Sequence, residues 1–177
     1  DDFAIMYTSG SSGTPKGVVM THRGAISAVQ TWFFNARLSE RLGLLPPPTI
    51  DKGGEAYTPC VMITTPFFHI SASHAGILMA IWFGFKAVIL HKWDPRRAVE
   101  LIEREKVSRF AGVPTMSAEL MSEAKKMKCT LSSLRTVEAG GAKRPAHQVS
   151  EIANTLPHAV PGTGYALTES GGVGIGL

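Results

Sequence analysis

A strand–helix rhythm constrains the fold of this chain more than any other feature. Short β-branched runs begin near Cys60 (CVMIT), Lys86 (KAVIL), Arg109 (RFAGV), Leu134 (LRTVEA) and His158 (HAVPG). Consecutive starts fall 26, 23, 25 and 24 residues apart. That spacing fits strand–helix units building a parallel sheet. The runs are short and nearly all apolar, so helices are expected on both faces. The expected fold is α/β, a mostly parallel sheet flanked by helices.

The intervening segments carry helix signals. Asp94-Pro95 supplies an N-cap and first helical residue, and Ala98, Leu101 and Ile102 make one apolar face. Pro114 starts the next helix, with Met116, Leu120, Ala124 and Met127 on its buried side. Pro145 starts another, where Val149, Ile152, Ala153 and Leu156 recur at helical spacing until Pro157 stops it. These stripes are core positions rather than cofactor contacts. The front differs: Phe3–Tyr7 is a strand, Thr8–Gly17 a polar loop and Val18–Met20 a second strand. A long helix follows, with Ile26, Val29, Phe33 and Ala36 on one face. Gly43–Pro59 holds four prolines and a Gly-Gly pair, a surface loop longer than most internal connections. No internal domain boundary interrupts the 177 residues.

Composition removes several function classes. Charged residues are 18% and hydrophobic residues 44% of the chain; disorder is excluded. A net charge of +4, with basic residues scattered apart from Lys125–Lys128 and Lys143–Arg144, is too weak to indicate nucleic-acid binding. Cys60 and Cys129 lie far apart without metal spacing, as expected of reduced thiols in a cytoplasmic protein. Ala75–Phe85, the longest apolar run, is too short to span a bilayer, and no secretory signal precedes it. The chain starts at Asp1 without Met and stops at Leu177 in a Gly-rich apolar stretch, so a piece of a longer protein is expected.

The strongest chemical signal is Tyr7-Thr8-Ser9-Gly10-Ser11-Ser12-Gly13-Thr14-Pro15-Lys16-Gly17. Glycines let the backbone turn N–H groups toward an anion, while hydroxyls and one ammonium surround the same point. A polyphosphate needs such donors, one mobile positive charge and no carboxylates. A Walker A loop does not fit: Pro15 precedes the lysine, Gly17 replaces the magnesium-ligating Ser/Thr, and a strand follows.

With that string, the chain resembles the adenylate-forming enzymes: acyl- and aryl-CoA synthetases, luciferases and peptide-synthetase adenylation domains. Further matches follow in the family's order. Pro66-Phe67-Phe68-His69 resembles its aromatic–His motif, Gly112-Val113-Pro114-Thr115 a pocket strand end, and Ala139-Gly140-Gly141-Ala142 its adenine-side loop. Gly164-Tyr165-Ala166-Leu167-Thr168-Glu169 resembles its Tyr-Gly-x-Thr-Glu motif. Ala166, Ala72 and Ala139 depart from the family's usual Gly, Gly and Ser.

The resemblance implies roles. Thr8, Ser9, Gly10, Ser11, Ser12, Gly13, Thr14 and Lys16 would hold phosphates; Gly140, Gly141, Ala142, Gly164 and Tyr165 would receive adenine. Tyr165 suits stacking on a base. Thr168 would donate to the α-phosphate, and Glu169 would hold Mg²⁺. Lys16, Thr168 and Glu169 are the expected catalytic residues. His69, Val113 and Gly141 would line the acid pocket, with His69 a wall or gate rather than a proton-transfer group. His74 lies five residues beyond His69 in HISASH, which is not a zinc motif. No Asp replaces the aromatic–His pattern to pair with an amino group, which implies a fatty or aromatic carboxylic acid.

The implied activity is ATP-dependent formation of an acyl-adenylate, then a thioester with CoA. The implied partners are that acid, ATP and CoA, with a homodimer left open. Residues 1–177 would be the central part of the AMP-binding domain. The C-terminal cap domain and its catalytic Lys would lie beyond Leu177, so this piece alone would be inactive. A peptide-synthetase-like adenylation domain and a non-catalytic nucleotide-binding module are the alternatives.

Overall fold

The computed structural model describes residues 1–10, 13–51 and 53–176. Two sheets organise it. The larger contains β3 (Cys60–Ile63), β4 (Lys86–Ile89), β5 (Arg109–Gly112), β6 (Thr136–Ala139), β7 (Val160–Ala166) and β8 (Gly174–Gly176) in the order β4-β3-β5-β6-β7-β8. Every pairing from β4 to β7 is parallel, and only β7–β8 is antiparallel. The mostly parallel α/β sheet expected from the spacing is present. The smaller sheet is an antiparallel hairpin of β1 (Asp2–Thr8) and β2 (Lys16–Thr21). Thr8 pairs with Lys16, so the polar loop is shorter than its composition implies and both residues belong to the ladder.

One face of the large sheet carries the core. Met62, Phe110 and Val137 are fully buried with Ala98, Val99 and Ile102 of α4 (Pro95–Glu105), Leu120 of α5 (Pro114–Met127) and Ile152 of α6 (Ala146–Thr155). Asp94 caps α4 by accepting from the Arg97 N–H, and Pro114 opens α5, as their sequence signals require. Pro145 is the N-cap of α6 rather than its first residue, and the buried stripe differs in part from the expected one. Gln148, Ile152 and Leu156 are buried while Ala153 is exposed.

The other face breaks the expectation of apolar cover on both sides. Register places Arg109 of β5 and Glu138 of β6 there, and the Arg109 guanidinium meets the Glu138 carboxylate through two hydrogen bonds of 3.0 and 2.8 Å. Above this face run α2 (Ile70–Ala72), a π-helical segment (Ser73–Leu78) and α3 (Met79–Phe83) in unbroken succession. The helix over the apolar run Ala75–Phe85 therefore begins before that run, widens in the middle and stops at Gly84, whose φ of 69° supplies a left-handed C-cap. Gly76 lets the π-segment approach β3: a Cβ there would lie 3.1 Å from the Ile63 side chain.

Helix α1 (His22–Arg41) buries Ala25, Ala28 and Val29, whereas Ile26, Phe33 and Ala36 of the expected face are exposed. The cause is close approach. The turn after β7 seats Gly171 against Ala28, where an added Cβ would sit 3.2 Å from the alanine Cβ, and Gly172 lies against Trp32. Larger residues at position 28 would hold the two apart. Among the described residues of 43–59, the only pairing is an isolated bridge between Ile50 and Ala56.

Candidate functional site

Chemistry-bearing residues gather at the carboxyl ends of the parallel strands, where open α/β sheets receive ligands. Val113 directly follows β5, Gly140–Ala142 follow β6, and Gly164 and Tyr165 form the end of β7. The three ends are adjacent: the Gly140 N–H donates to the Gly112 carbonyl at 3.1 Å, and a Cβ on Gly140 would lie 3.4 Å from the Gly164 carbonyl oxygen. An added methyl at 140 would make ordinary van der Waals contact there, so the strand ends lie side by side without requiring glycine at this position. Tyr165 is 66% exposed, its ring available to a planar ligand.

Beneath these ends lies Arg144, which sequence reading left in a short basic cluster but which is buried. Its Nη1 donates to the Gly162 carbonyl at 2.9 Å and the Val137 carbonyl at 3.2 Å, and its Nη2 to the Ser117 hydroxyl at 3.2 Å. One guanidinium thus ties β6, β7 and α5 together. Burial pushes it below its usual pKa, opposed by the charge of Glu138. Gln148 adds a link, donating to the Pro114 carbonyl at 2.8 Å. An arginine beside proline just after a glycine pair was the available signal, obscured by the neighbouring Lys143.

His69 stands on the same edge beyond β3. It caps α2, its Nδ1 accepting from the Ser71 N–H at 3.2 Å, and its ring is exposed beside exposed Phe67 and Phe68. The β1–β2 hairpin docks here: Met6 of β1 and Met20 of β2 form a buried cluster with Ile70. Gly10 and Gly13 adopt φ of 64° and 77°, and at Gly10 a Cβ would strike the Thr14 carbonyl at 2.6 Å. Thr8, Ser9, Thr14 and Lys16 surround this turn in sequence; Ser11 and Ser12 lie outside the described residues.

Thr168 and Glu169 occupy the turn between β7 and β8. Glu169, Ser170 and Gly171 line a cavity of about 400 Å³ with Val19, Met20 and Thr21 of β2 and Gly24 and Ala28 of α1. The turn therefore meets the far end of β2 from Lys16, and among the described residues no ion pair joins Lys16 to Glu169. Nor do the described residues hold a group of three or more His, Cys, Asp or Glu able to cage a metal. One exposed carboxylate suits Mg²⁺ carried in with phosphate oxygens, since that ion keeps most of its ligands outside the protein. No helix among the described residues is long and apolar enough to cross a membrane.

Comparison with known proteins gives this arrangement its context. The AMP-binding enzyme family matches residues 1–176. A 4-coumarate–CoA ligase from Humulus lupulus is 31% identical over 173 residues, covering 98% of this chain and 29% of the relative. A Mycobacterium tuberculosis ligase, 3-[(3aS,4S,7aS)-7a-methyl-1,5-dioxo-octahydro-1H-inden-4-yl]propanoyl:CoA ligase, is 31% identical over 170 residues, covering 96% of this chain and 30% of the relative. The crystal structure of the N-terminal domain of FACL13 from Mycobacterium tuberculosis superposes with a TM-score of 0.80 at 26% identity, covering 100% of this chain and 39% of that one. The chain thus spans about 30% of the length of the curated relatives it matches. With its sheet order, strand-end glycines and hydroxyl-rich hairpin turn, this chain belongs to the AMP-binding enzyme family.

Proposed function

We propose that this chain is the nucleotide- and acid-gripping part of an ATP-dependent acid–thiol ligase. A carboxylate oxygen attacks the α-phosphorus of ATP, and the bond to pyrophosphate breaks. The CoA thiolate then attacks the acyl carbonyl, and AMP leaves. Such chemistry depends on positioning and charge neutralisation. The observation that carries this reading is the docking of the Gly10–Gly13 turn's hairpin through Met6 and Met20 onto Ile70, beside His69 and the converging strand ends.

In this proposal the hydroxyl turn and Lys16 grip the β- and γ-phosphates. Gly140, Gly141, Ala142, Gly164 and Tyr165 receive adenine, and Thr168 donates to the α-phosphate. Glu169 holds Mg²⁺, which supplies positive charge beside the phosphates. His69, Val113 and Gly141 border the acid. The chain is the central part of an AMP-binding domain, a cap domain from the rest of the protein supplies a lysine, and the working compartment is the cytoplasm.

Exposed Phe67 and Phe68 support an acid without an α-amine. An ammonium there would lose water without a counter-charge, whereas an apolar tail gains roughly 25 cal/mol per Å² buried. The test is kcat/KM of the intact enzyme for fatty, aryl and amino acids with ATP and CoA. Fatty or aryl acids are expected to lead. Free amino acids as the best substrates would overturn the proposal in favour of a peptide-synthetase-like domain, and no acid-dependent pyrophosphate release would reduce it to a nucleotide-binding module.

A further inference from the structure

A second cavity, of about 240 Å³, lies at the edge of the large sheet opposite the candidate site. Pro59, Ser108 and Arg135 line it, and each directly precedes a strand: β3, β5 and β6 respectively. Arg37 and Glu40 of α1 join them, with Tyr57 and with Lys106, the C-cap of α4. Strands β5 and β6 are each four residues long. At about 3.3 Å per residue, the cavity therefore stands roughly 13 Å from the strand-end glycines. It shares no residue with the nucleotide and acid contacts proposed above.

The lining is unbalanced in charge. Arg37, Lys106 and Arg135 face a single carboxylate, Glu40. The two arginines share it: Arg37 Nη1 donates to Glu40 Oε2 at 2.8 Å, and Arg135 Nη2 lies 3.6 Å from Oε1. Arg135 also donates from Nε and Nη2 to the Pro46 carbonyl, and its side chain is only 18% exposed, so the guanidinium is fixed in place. Several donors stay free. Among the described residues, Arg135 Nη1, Arg37 Nε and Nη2, the Lys106 ammonium and the Tyr57 hydroxyl have no hydrogen-bond partner. Cations brought together from α1, from the end of α4 and from the start of β6 repel one another, and an anion between them reverses that sign. Volume limits its size. The cavity far exceeds the roughly 10–15 Å³ that one water needs, yet falls below the about 300–1,000 Å³ typical of drug-sized ligands. A whole nucleotide does not fit these limits, whereas a phosphate group does. Arginine forks and an ammonium both suit its oxygens.

We propose that this cavity is a second anion site, in which Arg37, Lys106 and Arg135 bind a phosphate or pyrophosphate group. Arg135 is the fixed donor, held by the Pro46 carbonyl. Arg37 and Lys106 close on the anion from two sides, and Tyr57 adds a hydroxyl. Glu40 orients the arginines in the empty site and opposes the anion once it enters. The site stands independently of the ligase reaction proposed above.

The test is calorimetric titration of the intact enzyme saturated with α,β-methylene-ATP, so that the proposed nucleotide site is filled. Pyrophosphate and phenyl phosphate are titrated separately. Tighter binding of pyrophosphate identifies a free anion as the ligand, and tighter binding of the ester identifies a phosphate carried by a larger molecule. No binding of either overturns the proposal. The paired variant Arg37→Gln with Lys106→Gln, at two side chains that are not buried, is expected to raise Kd at least about tenfold, the loss of one or more charge-assisted hydrogen bonds. An unchanged Kd there would place the binding elsewhere and overturn the proposal. Glu40→Gln is expected to act in the opposite direction and lower Kd by about two- to fivefold, the worth of one partly exposed charge pair. A role for Glu40 in stability alone would not tighten binding, so a raised or unchanged Kd in that variant would also count against the site. Failed acid-dependent turnover, with these titrations as expected, would count against the proposed activity alone.

Discussion

Arg144→Met tests whether one buried guanidinium holds the strand-end framework together. The wild-type fork donates to carbonyls on β6 and β7 and to a hydroxyl on α5 at 2.9 to 3.2 Å. Methionine replaces much of the stem and offers no donor. Hydrogen bonds from a charged group are worth about 1.5–3 kcal/mol each, so three acceptors give a gross loss of about 4.5–9 kcal/mol. Two terms reduce it. Strand carbonyls keep a second lone pair for their ladder, and methionine removes a charge whose burial costs several kcal/mol. The net destabilisation is therefore expected to be about 2–4 kcal/mol. Urea unfolding followed by tryptophan fluorescence should show a midpoint lower by about 1–2 M for a slope of about 2 kcal/mol/M. Arg144→Lys retains the charge but cannot span three fixed acceptors, so it should be no more stable than Arg144→Met. A methionine variant within about 0.5 kcal/mol of wild type, the range of ordinary surface changes, would refute the reasoning. So would full stability in the lysine variant, which would show that charge matters and the fork does not.

Other outcomes follow from the same geometry. Lys16→Ala in the intact enzyme should raise the ATP concentration needed for acid-dependent pyrophosphate exchange by at least about tenfold, a loss near 1.4 kcal/mol; unchanged ATP saturation would exclude it from the phosphate grip. Glu169→Gln should lower kcat more than it raises KM for the acid, and a wild-type rate at every Mg²⁺ concentration would remove Glu169 from the site. His74 is fully buried, and burial lowers its pKa, so the folded state resists its protonation. Its contribution is fully present above the unfolded value of about 6.5 and is lost as pH falls from there toward the lower folded pKa. His74→Gln should flatten stability against pH in that window, as seen by thermal melts, and an unchanged slope would reject the assignment. At Gly174 a Cβ would collide with the Tyr165 carbonyl oxygen, so Gly174→Ala should separate β8 from β7 and speed amide exchange at Ile175 and Gly176; unchanged protection there would contradict the pairing.

Local signals located most elements, and tertiary approach decided which faces they buried. Asp94-Pro95 and Pro114 mark helix starts through chemistry confined to a few residues, and both helices begin there. The even spacing from Cys60 to His158 carries the parallel sheet for the same reason. The buried side of α1 was not legible, because Ala28 faces the close approach of Gly171, a contact set by the assembled fold rather than by hydrophobicity. Arg109 and Glu138 show the same limit: each interrupts an apolar run, and their pairing depends on a register that only the assembled sheet supplies. In the candidate site, glycines and hydroxyls announced the turn at Gly10–Gly13. Arg144 acts through long-range bonds to β6, β7 and α5, and its one local signal, the proline beside it after a glycine pair, is obscured by Lys143.

The π-helical segment Ser73–Leu78 stores one residue of slack. A π-turn holds about one residue more than an α-turn, so shortening the segment by one would restore the α-ladder while leaving its two ends in phase. The Ala75 carbonyl, which now receives the Arg109 guanidinium at 3.4 Å, lies inside that slack. Deleting Ala75 should therefore lower the melting temperature less than deleting Ala118 from the regular helix α5, where every later side chain would rotate by about 100°. An equal loss in both would dismiss the idea. Length changes among related chains should accordingly collect in this one turn, which makes it a natural place for the protein to gain or shed a residue without re-facing the helix on either side.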